Sequence, residues 1–294
     1  MHVPFVDLKA QYASLKDHLD RAILDAVADT AFIAGGRVTK FEQEFASYSG
    51  ADHCIAVANG TDAIEIALTA LGIAAGDEVI LPANTFIATA EAISNAGAVP
   101  VFVDSLPDTY NIDPSKIEPR ISERTKAIIA VHLYGLPAEM DEIVAIAKRH
   151  NLNLLEDCAQ AHGATYKGRT VGTFGDAATF SFYPSKNLGA FGDAGAIVTN
   201  RKETADAARM ISNHGQFEKN RHAAVGRNSR MDGIQGAVLS AKLPHLDSWL
   251  DARRQNADRY NELLSGKLAV PVSSEDARHT YHLYVVRVAD RDAV

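Results

Sequence analysis

The feature that most limits the fold of this 294-residue chain is a regular alternation of short apolar runs with helical stretches. The apolar runs that we predict as strands are 55–58, 79–81, 99–103, 127–131, 152–155, 177–182, 196–199 and 281–288. Apolar residues at helical spacing predict helices over 11–28, 39–48, 63–71, 88–95, 113–121, 140–150, 203–212, 233–243 and 248–264. Strands that alternate with helices of this length predict βαβ units around a mostly parallel sheet, and therefore an α/β fold.

The composition is that of a globular protein. Hydrophobic residues make up 47% and charged residues 22%, which excludes disordered, collagen-like and coiled-coil chains. The formal net charge of −8 argues against nucleic acid as a main partner, because phosphate backbones attract surfaces rich in Lys and Arg. No apolar run reaches the ~18 residues that cross a bilayer, and the first residues lack the pattern of a signal peptide. We therefore expect a cytoplasmic protein with neither a membrane nor a nucleic-acid partner.

A change of pattern near Pro244 predicts a domain boundary. Residues 1–244 carry the alternation of strands and helices, whereas residues 245–294 read as one long helix followed by the run Tyr281–Val288. That run alternates apolar and polar residues, so it needs strand partners, and 268–272 is the one candidate nearby. We expect a large domain followed by the beginning of a small C-terminal domain that is incomplete.

A short polar turn follows the first predicted strand, at the edge where open α/β sheets bind their ligands. Gly60 and Thr61 lie between the run 55–58 and the next helix, where free N–H groups, a hydroxyl and the helix dipole suit a phosphate. An ordinary capped turn explains the same residues, and for the turn alone it is the simpler interpretation.

Acidic residues end the run 152–155. A carboxylate such as Asp157 at this place can hold a cationic ring nitrogen through a charge-assisted hydrogen bond. Gln160 and His162 follow within one turn and could supply further polar contacts. A lone aspartate is more often a helix cap or part of a salt bridge, so Asp157 becomes a site candidate through its neighbours.

Lys186 follows the run 177–182 in a loop in which Pro184 prevents a regular helix. A lysine in a closed site can lose its proton and form a Schiff base with a carbonyl compound, although most lysines lie on the surface. Ser181 and Tyr183 precede it, and a high density of glycines after it indicates backbone packed tightly against something. Those glycines are Gly189, Gly192 and Gly195.

Two further features complete a set. Phe86 follows the run 79–81 and could stack on a flat cofactor, although filling the core is the usual role of a Phe. The polar loop 226–232 precedes a helix and offers two arginines for anions, or is simply solvated. A phosphate site at a helix start, an aromatic platform, an acid for a ring nitrogen and a lysine for an aldehyde together describe one cofactor, pyridoxal 5′-phosphate.

Several segments carry a resemblance to a known family. They are NGTDA (59–63), GDEVILPANTFIATAEAI (76–93), GAVPVFVD (97–104), RTKAIIAVHLYG (124–135), EDCAQAHGA (156–164) and FSFYPSKNLGAFGD (180–193). These segments resemble the DegT/DnrJ/EryC1/StrS family of pyridoxal phosphate-dependent sugar aminotransferases, and the likeness runs from Phe5 to the end of the chain. The resemblance implies a fold-type-I aminotransferase with a mixed, mostly parallel sheet flanked by helices.

The resemblance also implies a role for each candidate residue. Lys186 is the lysine that binds the cofactor covalently and the acid–base that moves the proton during transamination. Asp157 is the partner of the pyridinium nitrogen, Gln160 lies beside the phenolic oxygen, and Phe86 stacks on the ring. The residues that hold the phosphate are Gly60, Thr61 and Ser181, together with Asn228 of the neighbouring subunit. The last of these implies a homodimer with shared active sites.

The implied reaction moves an amino group from L-glutamate to a keto nucleotide-sugar. The segments VHLYG (131–135) and NGTDA resemble the 3-amino-sugar members of the family more than the others, a likeness that implies a 3-keto-6-deoxyhexose rather than a 4-keto sugar. Family members continue beyond the length of this chain with a Tyr-Pro-containing segment near the substrate, so we expect a C-terminally truncated form. A sugar dehydratase of the same family would carry His in place of Lys186. The other alternative is a non-catalytic or regulatory family member, inactive because of the truncated C-terminus.

Overall fold

A computed structural model describes residues 3–272 and 274–293 of the chain. Its strands are β1 (His53–Val57), β2 (Glu78–Pro82), β3 (Val99–Val103), β4 (Thr125–Val131), β5 (Asn153–Asp157), β6 (Thr165–Tyr166), β7 (Arg169–Thr170), β8 (Ala177–Ser181), β9 (Gly195–Thr199), β10 (Gln216–Glu218), β11 (Arg221–His222) and β12 (Ala277–Arg278). Its α-helices are α1 (Leu8–Ala28), α2 (Gly36–Ser49), α3 (Gly60–Ala70), α4 (Ile87–Asn95), α5 (Met140–Arg149), α6 (Lys202–Ser212), α7 (Gly233–Lys242) and α8 (Leu246–Leu264). Within these described residues, no helix combines the length and the apolar character needed to cross a membrane.

Seven of the strands form one sheet in the order β1-β9-β8-β5-β4-β2-β3. Neighbouring strands from β8 to β3 pair in parallel, whereas β9 runs antiparallel to both of its neighbours. Apolar layers that include helical residues cover both faces of the sheet. The prediction of an α/β fold with a mixed, mostly parallel sheet flanked by helices is confirmed.

The first strand shows why the predicted runs are almost continuously apolar. Side chains of a strand point alternately to the two faces of the sheet. Ile55 and Val57 of β1 belong to the apolar layer that contains residues of α3, whereas Cys54 and Ala56 belong to the layer on the other face with Phe45 of α2. Because both faces are buried, polar residues do not alternate with apolar ones along the strand.

An aromatic cluster anchors the end of β8. The ring of Phe45 is fully buried and meets the rings of Phe180 and Phe182 edge-on, at centroid distances of 4.9 and 5.1 Å. Burial of one such side chain stabilises the fold by about 1.5–3 kcal/mol. Phe182 lies directly after β8 and shortly before Lys186, so the cluster holds the start of the loop that carries this lysine.

The helix predicted over 113–121 is wrong. Two short 3-10 turns occupy the segment, at Pro114–Lys116 and Glu118–Arg120. Pro119 has no N–H group to donate, and its ring obstructs a continuous α-helix. The fully buried Ile117 between the turns therefore reflects packing of an irregular segment rather than one helical face.

The strand predicted over Tyr281–Val288 is also wrong. Tyr281 has a left-handed backbone with φ 45°, which interrupts an extended conformation. In the described part of the chain, pairing with the segment expected as its partner is limited to an isolated bridge between Ala269 and Arg287. The Tyr281 carbonyl oxygen accepts a hydrogen bond from the guanidinium of Arg253 at 3.2 Å, and not from the backbone N–H group of a neighbouring strand.

The predicted domain boundary near Pro244 lies in a 3-10 turn, Leu243–His245, between α7 and α8. Leu246 and Leu250 at the start of α8 pack in the same apolar layer as Phe45. The first turns of α8 therefore belong to the core of the main sheet. The division at residue 244 stays a prediction.

Candidate active site

A cavity of about 670 Å³ lies at the carboxyl ends of the parallel strands. Its walls come mainly from the segments that follow β1, β2, β5 and β8, which are 59–62, 85–89, 157–160 and 181–186. This is the edge of the sheet at which a ligand was expected. The fold thus brings together four of the five segments that carry candidate residues, and the loop 226–232 is not part of this cavity.

Strand β9 joins β1 and β8 at this edge. Its first residue, Gly195, pairs with Val57 on one side and with Ser181 on the other. A Cβ atom on Gly195 would collide with the carbonyl oxygen of Asn59. Only a glycine therefore lets the turn after β1 approach the end of β8, and the tight packing predicted around this glycine is confirmed.

Helix α3 begins at the cavity wall with two free amide groups. The Asn59 side chain accepts a hydrogen bond from Asp62 N at 2.8 Å, and the Asn59 carbonyl accepts one from Ala63 N at 3.1 Å. Among the described residues, no acceptor takes the amide protons of Gly60 and Thr61, as expected for the first turn of a helix. Both residues line the cavity at the positive end of the helix dipole, an arrangement that suits a phosphate.

Gly60→Ala should destabilise this corner of the cavity. The added methyl group would lie 2.7 Å from the Ser181 Cβ, so we expect a loss of about 1–3 kcal/mol in the free energy of unfolding and weaker binding of pyridoxal phosphate. Gly36→Ala is the matched control, because Gly36 also begins a helix and has nothing within 4 Å of its Cβ position. Denaturant unfolding and cofactor titration would measure both effects. Equal results for the two variants would contradict the close approach of Gly60 to Ser181.

Asp157 is the last residue of β5 and lines the cavity, with 6% of its surface exposed. Its Oδ2 accepts a hydrogen bond from Thr89 Oγ1 at 2.9 Å, and its Oδ1 accepts one from Ala159 N at 3.1 Å. Each carboxylate oxygen keeps a free lone pair. The side chain can therefore bind a cationic nitrogen of a ligand in the cavity.

Glu156, the neighbour of Asp157 in β5, lies in the core instead. Its fully buried carboxylate accepts hydrogen bonds from His132 Nε2 at 3.1 Å, Gly172 N at 2.8 Å and Phe174 N at 2.7 Å. His132 Nδ1 accepts a hydrogen bond from Ala138 N at 3.1 Å, which places the ring proton on Nε2. Two consecutive acids thus have separate tasks, one in the core network and one in the cavity.

Lys186 lies in the loop after β8 and lines the cavity. Burial lowers the pKa of its amine below the usual value for lysine, and the negative charge of Asp157 opposes that shift. Among the described residues, its amine has neither a hydrogen-bond partner nor an ion-pair partner. A lysine in this state is available to react with a carbonyl group.

The loop that carries Lys186 is compact. Lys186 N donates a hydrogen bond to the Tyr183 carbonyl at 2.8 Å. A Cβ atom on Gly189 would collide with the Pro184 carbonyl, so the tight packing predicted from the glycines is confirmed here as well. From α7, the buried amine of Lys242 donates to the Gly189 carbonyl at 2.6 Å and ties the loop to the helix behind it.

Gln160 lines the cavity, whereas His162 does not. Gln160 Oε1 accepts a hydrogen bond from Tyr134 N at 2.7 Å, so its Nε2 is the end that remains to donate to a ligand. The fully buried ring of His162 lies 5.4 Å from the ring of Phe180. Burial lowers the pKa of His162 to about 3, so it is neutral at physiological pH. The suggestion that His162 supplies a polar contact to the ligand is therefore wrong.

Phe86 and Asn228 differ in their positions. Phe86 lines the cavity and is 69% exposed, so its ring offers a flat apolar surface. Asn228 is exposed outside the cavity of its own chain, where its Oδ1 accepts a hydrogen bond from Arg230 Nε at 3.1 Å. Arg227 of the same loop forms an ion pair with Glu65. The predicted residues that do line the cavity are Gly60, Thr61, Phe86, Asp157, Gln160, Ser181 and Lys186.

Sequence reasoning missed several residues of the cavity wall, which are Thr89, Glu91, Asn95 and Asp193. Thr89 follows Thr85 by four residues, close to one helical turn, directly after a strand end. That spacing, and its place in the segment 76–93, are the signals that could have identified it. Glu91 and Asp193 also lie in segments that carry the resemblance, whereas Asn95 carries no pattern that separates it from an ordinary surface residue.

Comparisons with known proteins agree on one family. The model of the DegT/DnrJ/EryC1/StrS aminotransferase family matches residues 14–294. The "pleiotropic regulatory protein" of Geobacillus stearothermophilus is 50% identical over an alignment of 296 positions, which covers 99% of this chain and 80% of that protein. The dTDP-3-amino-3,6-dideoxy-alpha-D-galactopyranose transaminase of Aneurinibacillus thermoaerophilus is 48% identical over 292 residues, which cover 99% of this chain and 80% of that protein.

The fold also has solved relatives. The crystal structure of Streptomyces venezuelae DesV in complex with a ketimine intermediate matches with a TM-score of 0.97 at 46% sequence identity. The match covers 99% of this chain and 79% of that chain. At this identity and coverage, the likeness concerns both the fold and the sequence.

Proposed function

Because the chain belongs to the DegT/DnrJ/EryC1/StrS aminotransferase family, we propose that it transfers an amino group from L-glutamate to the keto group of a nucleotide-linked sugar. The chain has the fold of a fold-type-I aminotransferase, and the cofactor of such an enzyme is pyridoxal 5′-phosphate. The observation that carries the proposal is a single cavity lined by Asp157, Gln160 and Lys186 together with the first residues of α3.

The chemistry of the cavity fits the parts of this cofactor. The free N–H groups of Gly60 and Thr61 and the hydroxyl of Ser181 would hold the phosphate. The exposed ring of Phe86 would pack on a face of the pyridine ring. Gln160 Oε1 already accepts a hydrogen bond from Tyr134 N, so Gln160 Nε2 would donate to the phenolic oxygen of the cofactor. Each of these groups is a donor or a surface that the described protein leaves available.

Asp157 and Lys186 would serve the reactive ends of the cofactor. The bound cofactor withdraws electrons from the carbon next to the transferred nitrogen and so makes the hydrogen on that carbon acidic. The carboxylate of Asp157 would keep the pyridine nitrogen protonated, which increases the withdrawal. Lys186 Nζ would bind the aldehyde carbon until the donor amine displaces it.

After displacement, Lys186 Nζ is a free amine in the same cavity. Its lowered pKa favours the unprotonated form that a general base needs. In the first half-reaction it would remove the proton from C2 of L-glutamate. The amino group would pass to the cofactor, and the carbon skeleton would leave as 2-oxoglutarate with a keto oxygen taken from water. In the second half-reaction Lys186 Nζ would return a proton to the sugar carbon, which would lose its keto oxygen as water and gain the amino group that the cofactor received from L-glutamate. The net reaction exchanges an amino and a keto group and needs no further co-reactant.

The preferred acceptor is a 3-keto-6-deoxyhexose rather than a 4-keto sugar. The two segments that favour it contribute to the cavity wall, VHLYG through Val131 and Leu133 and NGTDA through its first four residues. The Aneurinibacillus relative, which is named for a 3-amino sugar, is 48% identical to this chain. Both observations support amination at C3.

Charge supports a shared site. The cavity wall contains three carboxylates in addition to that of Asp157, which belong to Asp62, Glu91 and Asp193. Among the described lining residues, Lys186 is the one cationic side chain. By themselves these side chains would repel the phosphates of a nucleotide. Because the N-terminus of α3 would hold the cofactor phosphate, positive charge from outside the wall formed by one chain would favour the binding of an anionic substrate.

The loop 226–232 of a second copy would supply that charge in a homodimer. Arg230 donates hydrogen bonds to the side chains of Asn228 and Asn213 and has no carboxylate partner among the described residues. The adjacent Phe32 and Ile33 are 47% and 56% exposed, and Ile33 is bridged to the end of this loop at Asp232, so the two side chains offer neighbouring apolar surface for association. Asn228 would then reach the phosphate of the cofactor bound to the neighbouring subunit.

Isotope transfer tests the proposed reaction. Purified protein with pyridoxal phosphate, nitrogen-labelled L-glutamate and a nucleotide-linked 3-keto-6-deoxyhexose should yield 2-oxoglutarate and labelled amino sugar in equal amounts. The 4-keto isomer should react more slowly. Cofactor binding without amino transfer to either sugar would favour a regulatory protein, the alternative that the name of the Geobacillus relative raises. Failure to bind the cofactor would contradict the proposal altogether.

Subunit mixing tests the shared site. Lys186→Ala and Asn228→Asp homodimers should each be nearly inactive, because one lacks the amine and the other places a negative charge against the phosphate. A heterodimer of the two contains one site with neither defect, so random reassociation should recover about a quarter of the wild-type rate. Native mass spectrometry would establish that heterodimers form. No recovery from verified heterodimers would contradict sharing.

A further inference from the structure

A buried hydroxyl of α4 holds the carboxylate of Asp157. Thr89 is 1% exposed, and its Oγ1 donates to Asp157 Oδ2 at 2.9 Å. The two residues are 68 positions apart in the chain, and β4 lies between β5 and the strand β2 that precedes α4. The contact is therefore a product of the tertiary fold and joins two separate walls of the cavity.

A second hydroxyl gives this contact a direction. Thr85 Oγ1 lies 2.8 Å from Thr89 Oγ1. A threonine hydroxyl has one proton and an ionised carboxylate has none. Because Thr89 gives its proton to Asp157, it accepts the proton of Thr85. The three side chains thus form one ordered chain of hydrogen bonds, in which each bond polarises the next.

The remaining supports of Asp157 do not orient its carboxylate fully. His132 N donates to the main-chain oxygen of Asp157 at 3.1 Å, which holds the end of the strand. Ala159 N donates to Oδ1 at 3.1 Å, and a single contact at one oxygen leaves rotation about the Cβ–Cγ bond possible. Thr89 acts on the other oxygen, so it removes this freedom.

We propose that Thr89 is a positioning residue that orients the carboxylate of Asp157 toward the ring nitrogen of the cofactor, with Thr85 setting the direction of the Thr89 hydroxyl. The inference rests on the proposed function, which assigns the ring nitrogen to Asp157. Without the Thr89 hydroxyl, the carboxylate of Asp157 can rotate out of the orientation that faces the ring nitrogen. It then holds the proton on that nitrogen less firmly. Less positive charge then remains near Lys186 Nζ.

The test replaces the hydroxyl by a methyl group of similar size in the cofactor-loaded enzyme. Thr89→Val should lower kcat by about 10- to 100-fold, the effect of losing a hydrogen bond to a charged group, with little change in KM for L-glutamate. The pH at which the visible absorption of the bound cofactor changes should move upward, because the positive charge near Lys186 is reduced. Thr89→Ser keeps the hydroxyl and should restore both properties.

Two more variants separate positioning from stability. Thr204→Val is the matched control, because Thr204 is a threonine in α6 that is 2% exposed and lies outside the cavity. It should change neither kcat nor the pH midpoint. Thr85→Val leaves Thr89 in place and should reproduce the direction of both effects at smaller size, which keeps the proposal testable if Thr89→Val folds poorly.

Each outcome bears on one proposal. If the wild-type protein neither binds pyridoxal phosphate nor transfers nitrogen, the proposed function fails. If the wild-type protein is active and Thr89→Val keeps the wild-type pH midpoint and kcat, the positioning role is overturned. Where Thr89→Val folds poorly, the same result for Thr85→Val overturns it. A loss of kcat that Thr89→Ser does not restore would also overturn it, because the hydroxyl would then not be the group that matters.

Discussion

Lys186→Ala should eliminate covalent attachment of pyridoxal phosphate and lower kcat by on the order of 10⁴-fold or more. Lys186 is the lysine among the described residues of the cavity wall, so no second amine is placed to bind the aldehyde or to move the proton. Its amine has no partner in the described protein, so the fold should persist. Borohydride reduction followed by peptide mapping would locate the attachment site, and circular dichroism would monitor the fold.

Two comparisons sharpen this experiment. Lys148→Ala removes an exposed lysine of α5 and should leave attachment and kcat at wild-type values. Methylamine should restore part of the rate of Lys186→Ala, because a small amine can enter the space that the side chain leaves. A label on another lysine in the wild-type protein, or a variant with kcat near that of wild type, would contradict the assignment of Lys186.

The class of the fold could be predicted because burial leaves strong local signals. Strands such as β4 and β5 are covered on both faces, so they read as apolar runs, and helices between them show helical spacing. The carboxyl ends of these runs coincide with the functional turns. Asp157 could therefore be named as a candidate from its position at the end of such a run together with its neighbours, and it does line the cavity at this edge.

The two wrongly predicted elements, the helix over 113–121 and the strand over 281–288, have a common physical cause. A periodic pattern of apolar side chains does not show whether the backbone can adopt the matching conformation. The apolar residues around Ile117 satisfy a helical period, yet Pro119 removes the N–H group that one helix would need. The run that begins at Tyr281 alternates like a strand. The backbone of Tyr281 is nevertheless left-handed, and its carbonyl oxygen accepts a hydrogen bond from the guanidinium of Arg253. Periodicity gave no warning in either case, although Pro119 is visible in the sequence and by itself argues against a continuous helix.

Within the site, sequence could identify groups that follow strand ends but not groups that act through another residue. Thr89 lies inside a helix among alanines, and its importance depends on a contact with a residue on another strand. Conversely, His162 lies two residues after Gln160 and yet belongs to the core beside Phe180. Tertiary packing decides both cases, because it determines which polar side chains face the cavity and which are buried elsewhere.

The adjacent acids Glu156 and Asp157 show most clearly how packing directs one polar side chain into the core and another into the cavity, and they allow a matched experiment. Asp157→Asn keeps the shape of the side chain and removes its negative charge. We expect cofactor binding to persist and kcat to fall by on the order of 10²–10³-fold, because the proton on the ring nitrogen loses its charged partner. With L-glutamate deuterated at C2, the kinetic isotope effect should rise as proton removal becomes the slow step.

The charge of Asp157 has a second, independent consequence in the cofactor-free protein. This charge raises the pKa of Lys186 against the effect of burial, so Asp157→Asn should lower the pKa of Lys186 further. At a given pH, an acylating reagent should then label Lys186 faster, because more of the amine is unprotonated. Unchanged labelling would show that the charge of Asp157 does not act on Lys186, and an unchanged isotope effect would show that it does not assist proton removal.

The control for Asp157→Asn is the adjacent acid. Glu156→Gln also replaces a buried carboxylate by an amide, but it places an NH₂ group against backbone donors such as Gly172 N and Phe174 N. A buried donor without an acceptor costs about 1–3 kcal/mol, so this variant should unfold at lower denaturant concentration. Its folded fraction should keep the wild-type isotope effect, since Glu156 does not line the cavity. If Glu156→Gln raised the isotope effect as much as Asp157→Asn, the effect would come from damage to β5 rather than from the lost charge.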